Sequence, residues 1–171
     1  MLRRARQTVS ALCVMAATAA AIVTGACSKL DDERIPPMPV SLTFATVAQW
    51  NTYGIGGAMD YRIFIKQDRL PANYPYTAIS ATGFGGLLLV GDINGNPAVY
   101  DLACPVERRS DVRVFINTTS MVAECPDCHS TYDVFSLNGH PLSGPAAEQG
   151  FGLRHYYVGP GRGGEYMIVS N

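Results

Sequence analysis

The chain has 171 residues, 13 Lys and Arg against 14 Asp and Glu, and a formal net charge of −1, so it offers no basic surface for a nucleic-acid backbone. Its length suits one domain of ordinary size. Its three histidines are scattered, which excludes an argument for a serine–histidine–aspartate triad.

At the start, Arg3, Arg4 and Arg6 precede an Ala-rich apolar run from Val9 to Val23. The run has signal-peptide length and is too short for a membrane span. It ends in Val23-Thr24-Gly25-Ala26-Cys27, which resembles the lipobox of bacterial lipoproteins, with Thr24 where an apolar residue is usual. The resemblance implies that residues 1–26 are a signal peptide and that Cys27 is lipidated, giving an exported protein with a durable membrane anchor. An ordinary signal peptide with an incidental Cys27 is the alternative. Removing residues 1–26 takes away three arginines and no acid, leaving 145 residues with 10 basic and 14 acidic side chains, net −4.

Ser28-Lys29-Leu30-Asp31-Asp32-Glu33 resembles the acidic tract of surface-exposed lipoproteins in Bacteroidota-type bacteria, and reads equally as a solvated tether. The first reading implies the outer membrane, with exposure at the cell surface. Pro36, Pro37 and Pro39 continue as an extended spacer, so residues 27–39 are expected to be a tether and residues 40–171 the folded domain.

From Val40 onward, short β-rich runs alternate with Gly, Pro, Asn and Asp, and no long stretch has helical periodicity, which predicts an all-β fold. Strands are expected at 62–65, 86–90, 98–102, 112–116, 121–124, 132–135, 155–158 and 165–169. Asn94-Gly95 and Asn138-Gly139 are hairpin signals, and the Gly-rich stretch from Gly159 to Gly164 should be a hairpin tip. Residues 47–60, interrupted by Gly54, Gly56 and Gly57, fit strand, loop or short helix. The aromatics within the strand runs, among them Phe64, Tyr100, Phe115, Tyr132, Phe135, Tyr156 and Tyr157, read as core and cross-strand packing, with a stacking platform as the alternative.

Cys13 leaves with the leader and Cys27 would be acylated, so the exported domain keeps Cys104, Cys125 and Cys128. In a disulfide-permissive compartment three cysteines form at most one bridge, and a metal or a buried thiol must account for the rest. The three lie in two boxes, Cys104-Pro105-Val106-Glu107 and Cys125-Pro126-Asp127-Cys128-His129-Ser130-Thr131-Tyr132-Asp133, separated by 20 residues. Downstream lies Asn138-Gly139-His140-Pro141-Leu142-Ser143-Gly144-Pro145-Ala146.

These segments resemble the Rieske iron–sulfur family, best over residues 83–171. Its second box has the pattern Cys-Pro-x-His-Gly-Ser-x-Phe-Asp, and a Gly-x-Pro-Leu-x-Gly-Pro-Ala loop covers its cluster. The resemblance implies a Rieske-like small β-sheet sandwich in which two cysteine loops form one site. In that family two thiolates hold one iron and two imidazoles the other. Here Cys128 stands where the second box has its ligating His, with His129 one residue too late, and Val106 replaces the His of the first box. Valine has no lone pair for a metal. His129 is therefore expected to point away from the pocket, His140 and His155 to be surface or packing residues, Asp133 to make loop hydrogen bonds, and Glu107 and Glu124 to be solvated edge charges.

Three states of the pocket follow: a metal-free one with two cysteines bridged or all three buried; an altered 2Fe-2S cluster on Cys104, Cys125, Cys128 and a substitute such as His129, an oxygen ligand or solvent; or a tetrahedral zinc site on the same thiols plus His129 or His140. The corresponding functions are a noncatalytic, membrane-anchored Rieske-like domain of the cell envelope, an electron-transfer protein with a redox or envelope protein partner, and a zinc-held or disulfide-stapled binding module. No enzymatic activity is expected, because 145 residues leave no space for the separate catalytic iron domain of a Rieske oxygenase.

Overall fold

A computed structural model describes residues 30–161 and 163–171. The expected signal peptide, the lipobox-like end and Cys27 lie outside the described residues. The elements are β1 (Val40–Phe44), α1 (Val47–Tyr53), β2 (Tyr61–Phe64), β3 (Ala81–Thr82), β4 (Leu87–Gly91), β5 (Pro97–Asp101), β6 (Phe115–Asn117), β7 (Val122–Glu124), β8 (Thr131–Asp133), β9 (His140–Ser143), α2 (Gly144–Gln149), β10 (His155–Pro160) and β11 (Met167–Ser170). The fold is all-β, as predicted. Among the described residues no helix is long and apolar enough to cross a membrane.

Seven strands form one antiparallel sheet in the order β2-β4-β5-β10-β11-β1-β3, and four form a second in the order β6-β7-β8-β9. The large sheet curls until its edge strands approach at one corner, where the Lys66 backbone N–H donates to Thr82 Oγ1 at 3.3 Å and Lys66 Nζ reaches the carbonyls of Ala78 and Ser80. Inside the curl lies an apolar cluster of Val40, Leu42, Phe44, Phe64, Leu87, Leu89, Val99, Tyr156 and Val169. Strand β1 shows why: successive strand side chains point to opposite faces, and its Val, Leu and Phe all fall on the buried one.

The second sheet covers the outer face of β4 and β5. Leu88, Val90 and Tyr100 pack there with Ile116, Ala123, Tyr132 and Val134, so β4 is buried on both faces and reads as a continuous apolar run, Leu-Leu-Leu-Val. Tyr100 crosses the layer and donates its hydroxyl to the Val134 carbonyl at 3.3 Å.

The hairpin signals stand where expected. Gly95 and Gly139 have φ of 82° and 75°, and Asp92 Oδ1 accepts the N–H groups of Asn94 and Asn96 to close the β4–β5 turn. The last hairpin differs in its tip: β10 continues through Gly159 and Pro160, which pair with Ile168 and Met167, so the turn begins at Gly161. Residues 47–60 divide into a short helix, α1, and a turn-rich stretch from Gly54 onward; at the helix start the Thr46 hydroxyl accepts the Gln49 N–H and Gln49 Oε1 accepts the Ala45 N–H. Of the strand aromatics, Phe64, Tyr100, Tyr132, Phe135 and Tyr156 are buried, whereas Phe115 and Tyr157 are exposed.

Residues 30–39, expected as a tether, bend at Ile35 and lie against the domain instead of standing free. Asp31 exchanges backbone hydrogen bonds with Gly150 and Gly152, Arg154 donates to the Ile35 and Glu33 carbonyls, and Ile35 is fully buried. Burying one isoleucine side chain contributes about 1.5–3 kcal/mol, enough to hold a short prolyl segment whose chain entropy is already reduced.

Candidate metal centre

Two loops at one end of the sheets carry the three cysteines, and they share a backbone. In the first, the Arg108 N–H donates to the Cys104 carbonyl at 2.9 Å and Arg108 is left-handed, φ 54°. In the second, the His129 N–H donates to the Cys125 carbonyl at 3.1 Å and His129 is left-handed, φ 56°. Each loop is thus a Cys-Pro turn closed four residues on. In each, two backbone N–H groups are directed at the leading sulfur: those of Glu107 and Val106 at Cys104, and those of Cys128 and Asp127 at Cys125.

Both leading cysteines are pinned by main-chain bonds outside the turn, Cys104 N–H to the Val112 carbonyl and Cys125 N–H to the Ser130 carbonyl, each at 3.0 Å. The loops converge so that the sulfurs of Cys104, Cys125 and Cys128 all lie within 4.8 Å of one another. Two cysteine loops forming one site was the sequence expectation. All three cysteines are free, and Cys104 and Cys128 stand 3.6 Å apart, well beyond the roughly 2.05 Å of a disulfide.

The walls of the site are apolar with a few directed polar groups. Cys104 and Cys125 are buried and Cys128 is half-buried. Val106, where the family pattern has an imidazole, packs on the inter-sheet core together with Cys128. The buried Tyr132 hydroxyl stands 3.6 Å from Cys104 Sγ, and Cys128 Sγ stands 3.2 Å from Ser130 Oγ. Ser130, fully buried, also accepts the Ala146 N–H at 3.1 Å, which fastens the Gly144-Pro145-Ala146 segment over the second loop. Gly144 is required there: its φ is 73°, and a Cβ would come within 3.0 Å of Ser130.

Burial sets the electrostatics. Desolvation pushes the Cys104 thiol above its ordinary value, against the N–H groups and the Tyr132 hydroxyl that favour the thiolate. It pushes Cys125 up to about 12. Desolvation, followed by the three neighbouring thiols, raises the Tyr132 phenol as well, so it stays a donor. A cation among the sulfurs would reverse this balance, since coordination deprotonates a thiol.

The other candidates lie apart. His129 is exposed, with Nδ1 turned toward Glu124 at 3.9 Å. His140 sits on β9 opposite Asp133 and is exposed, and His155 is paired with Tyr100. Asp133 Oδ1 accepts the N–H groups of Phe135 and Ser136, the loop role expected of it. None of the clefts at Lys66–Tyr76, Leu30–Glu33 or Tyr157–Asn171 is lined by a residue of the cysteine loops.

Asp101, at the end of β5, is a positioning residue that the sequence did not announce. Its fully buried carboxylate accepts the N–H groups of Phe84, Gly85 and Ala103 and the Tyr156 hydroxyl, all at 2.8–2.9 Å. The Ala103 bond fixes the residue before Cys104. Gly83, φ 70°, passes so close that a Cβ would stand 2.7 Å from Asp101 Oδ2.

The donor set discriminates between metal groups. A two-iron cluster divides its ligands between two metals, and the family pattern would put Cys104 on one iron and the residue at 128 on the other, whereas these sulfurs are only 3.6 Å apart. With Val106 unable to ligate, the residues do not fit a Rieske cluster. Two thiolates bound at about 2.3 Å to one tetrahedral ion stand about 3.8 Å apart, which matches the Cys104–Cys128 separation. No protein family matches the chain, and no curated protein or solved structure matches it either.

Proposed function

We propose that this protein is an exported, membrane-anchored, noncatalytic Rieske-like domain of the cell envelope, in which the cysteine triad holds a single metal ion in place of a two-iron cluster. The anchor is a lipid on Cys27. The ion is structural: it ties the Cys104 loop to the Cys125–Cys128 loop and holds the end of the domain as a surface for an envelope protein partner. The observation that carries this reading is the convergence of three free sulfurs within 4.8 Å of one another, two of them, Cys104 and Cys128, at 3.6 Å, close to the spacing of two ligands on one tetrahedral ion.

Support comes from chemistry and from placement. Three soft thiolates select zinc among the hard and borderline divalent ions, and zinc needs no redox partner. Two of the sulfurs are buried and the third is half-buried, which suits a closed structural site better than an open catalytic one.

Metal analysis of the full-length protein, purified in detergent, tests the proposal. A colourless protein with one equivalent of zinc is the expected result. A brown protein with acid-labile sulfide would overturn it in favour of an electron-transfer centre, and a protein that neither carries nor takes up metal would overturn it in favour of a thiol or disulfide staple.

A further inference from the structure

Resting on the single-ion reading above, we propose that Glu107 is the fourth ligand and completes a three-thiolate, one-carboxylate site. The argument is the equivalence of the two loops. Both begin with Cys-Pro, both close by an N–H to carbonyl bond from the fifth residue to the first, and both end on a left-handed residue, Arg108 or His129. Both direct the N–H groups of their third and fourth residues at the leading sulfur. A rotation that lays Cys125 on Cys104 therefore lays Cys128 on Glu107. From that position Cys128 delivers its sulfur to the cluster, and the proposal gives the corresponding residue of the first loop the same task.

Glu107 is chemically suited to the place. A carboxylate oxygen ligates zinc at about 2.0–2.2 Å, and Glu carries its donor two bonds farther from the backbone than Cys, with rotatable bonds to adjust its reach. The residue is half-buried, so its side chain can turn inward without leaving a packed core. Among thiols alone nothing draws a carboxylate inward; it lies outside the 4.8 Å cluster and its charge acts on Arg109. A dication at the triad supplies the attraction.

Competing donors around the site are engaged or turned away. The His129 side chain is 76% exposed and turned toward Glu124. Ser130 Oγ is occupied by the Ala146 N–H and Cys128, and the Tyr132 hydroxyl faces Cys104. Val106 has nothing to offer.

Cobalt(II) is the probe, because its visible spectrum reports both coordination number and thiolate count. The full-length protein in detergent is stripped of metal, reduced and titrated with cobalt(II), alongside Glu107→Ala, Glu107→Cys, and His129→Ala as control. The wild type should give tetrahedral bands. Glu107→Cys should raise the thiolate-to-cobalt charge-transfer intensity by about one third, as three sulfurs become four. Glu107→Ala should weaken cobalt binding by about ten- to hundredfold or more, since losing even an outer-sphere partner costs that much. His129→Ala should change neither. Wild-type and Glu107 variants with the same spectra and affinities would overturn Glu107 as a ligand while leaving the three-sulfur site standing. Failure of the wild type to bind cobalt would overturn the single-ion reading itself, and this assignment with it.

Discussion

Asp101 provides the sharpest test of how the first cysteine loop is held. Its carboxylate accepts from four donors: Phe84 and Tyr156 at Oδ2, Gly85 and Ala103 at Oδ1. In Asp101→Asn the retained oxygen can keep Gly85 and Ala103, and the new NH2 group faces the other two. The Tyr156 hydroxyl can rotate to accept from it, but the Phe84 N–H cannot, and one part-buried donor is orphaned. That costs about 1–3 kcal/mol, a fall in Tm of roughly 2–4 °C per kcal/mol for a chain of this size. Asp101→Ala orphans all four donors. Counting about 1 kcal/mol for each, the low end of the range because water can enter the space left behind, gives a loss of about 4 kcal/mol.

The two variants should separate stability from site geometry. Asp101→Asn keeps the Ala103 bond next to Cys104, so it should lose stability in urea denaturation while its cobalt spectrum stays that of the wild type. Asp101→Ala should lose both stability and cobalt affinity. An Asp101→Asn protein within about 0.5 kcal/mol of wild type, the range of a neutral surface change, would refute the argument that this carboxylate organises the end of β5.

Two further outcomes follow from the same bookkeeping of polar groups. Ser130→Ala removes the acceptor of the buried Ala146 N–H and should cost about 1–3 kcal/mol in urea denaturation; a loss too small to measure would show that the Gly144–Ala146 segment is not fastened through Ser130. For Asp60, partial burial pushes the carboxyl up, but the Gly56 and Tyr61 N–H groups and the Arg62 guanidinium outweigh it and hold it below its ordinary 3.8. Its stabilisation is therefore present above pH 3.8 and lost as the pH falls through the lower folded value, so the stability advantage of wild type over Asp60→Asn should shrink in that window. An advantage that does not change between neutral pH and pH 3 would contradict the assignment.

Much of the fold was legible because its signals are local. The apolar runs of β4 and β5, the Asn-Gly turns and the absence of helical periodicity all sit within a few residues of the structure they specify. What escaped is informative in the same terms. Strand β9 contains Pro141, which argues against a central strand, and β9 is indeed an edge strand, where a missing N–H costs no ladder bond. The helix α1 is only seven residues, too short for periodicity to show, though Thr46-Val47-Ala48-Gln49 carries the capping signature. The docking of Arg34 and Ile35 depends on residues more than a hundred positions away, with the Arg34 guanidinium over the Phe151 ring and Arg154 donating to the Ile35 carbonyl, and no window of sequence contains it.

The site divides along the same line. That the cysteine boxes meet was readable from their spacing, since 20 residues allow the β6–β7 hairpin that returns the chain to the first loop. The role of Asp101 was not, because its donors come from residues 84, 85, 103 and 156, and only the folded sheet assembles them. Glu107 occupies a middle case. Read against a box with an imidazole at its third position, the first loop has lost a ligand at Val106, and Glu107 is a bystander. Read against the second loop, whose backbone it repeats, the first loop has its donor at the fourth position, and Val106 is free to do what a valine does, packing on the inter-sheet core. The choice between those alignments turns on the left-handed residues Arg108 and His129, which set both turns to the same length. Neither is a glycine, the residue that usually marks such a conformation, so the equivalence of the two loops emerges only from their backbone angles.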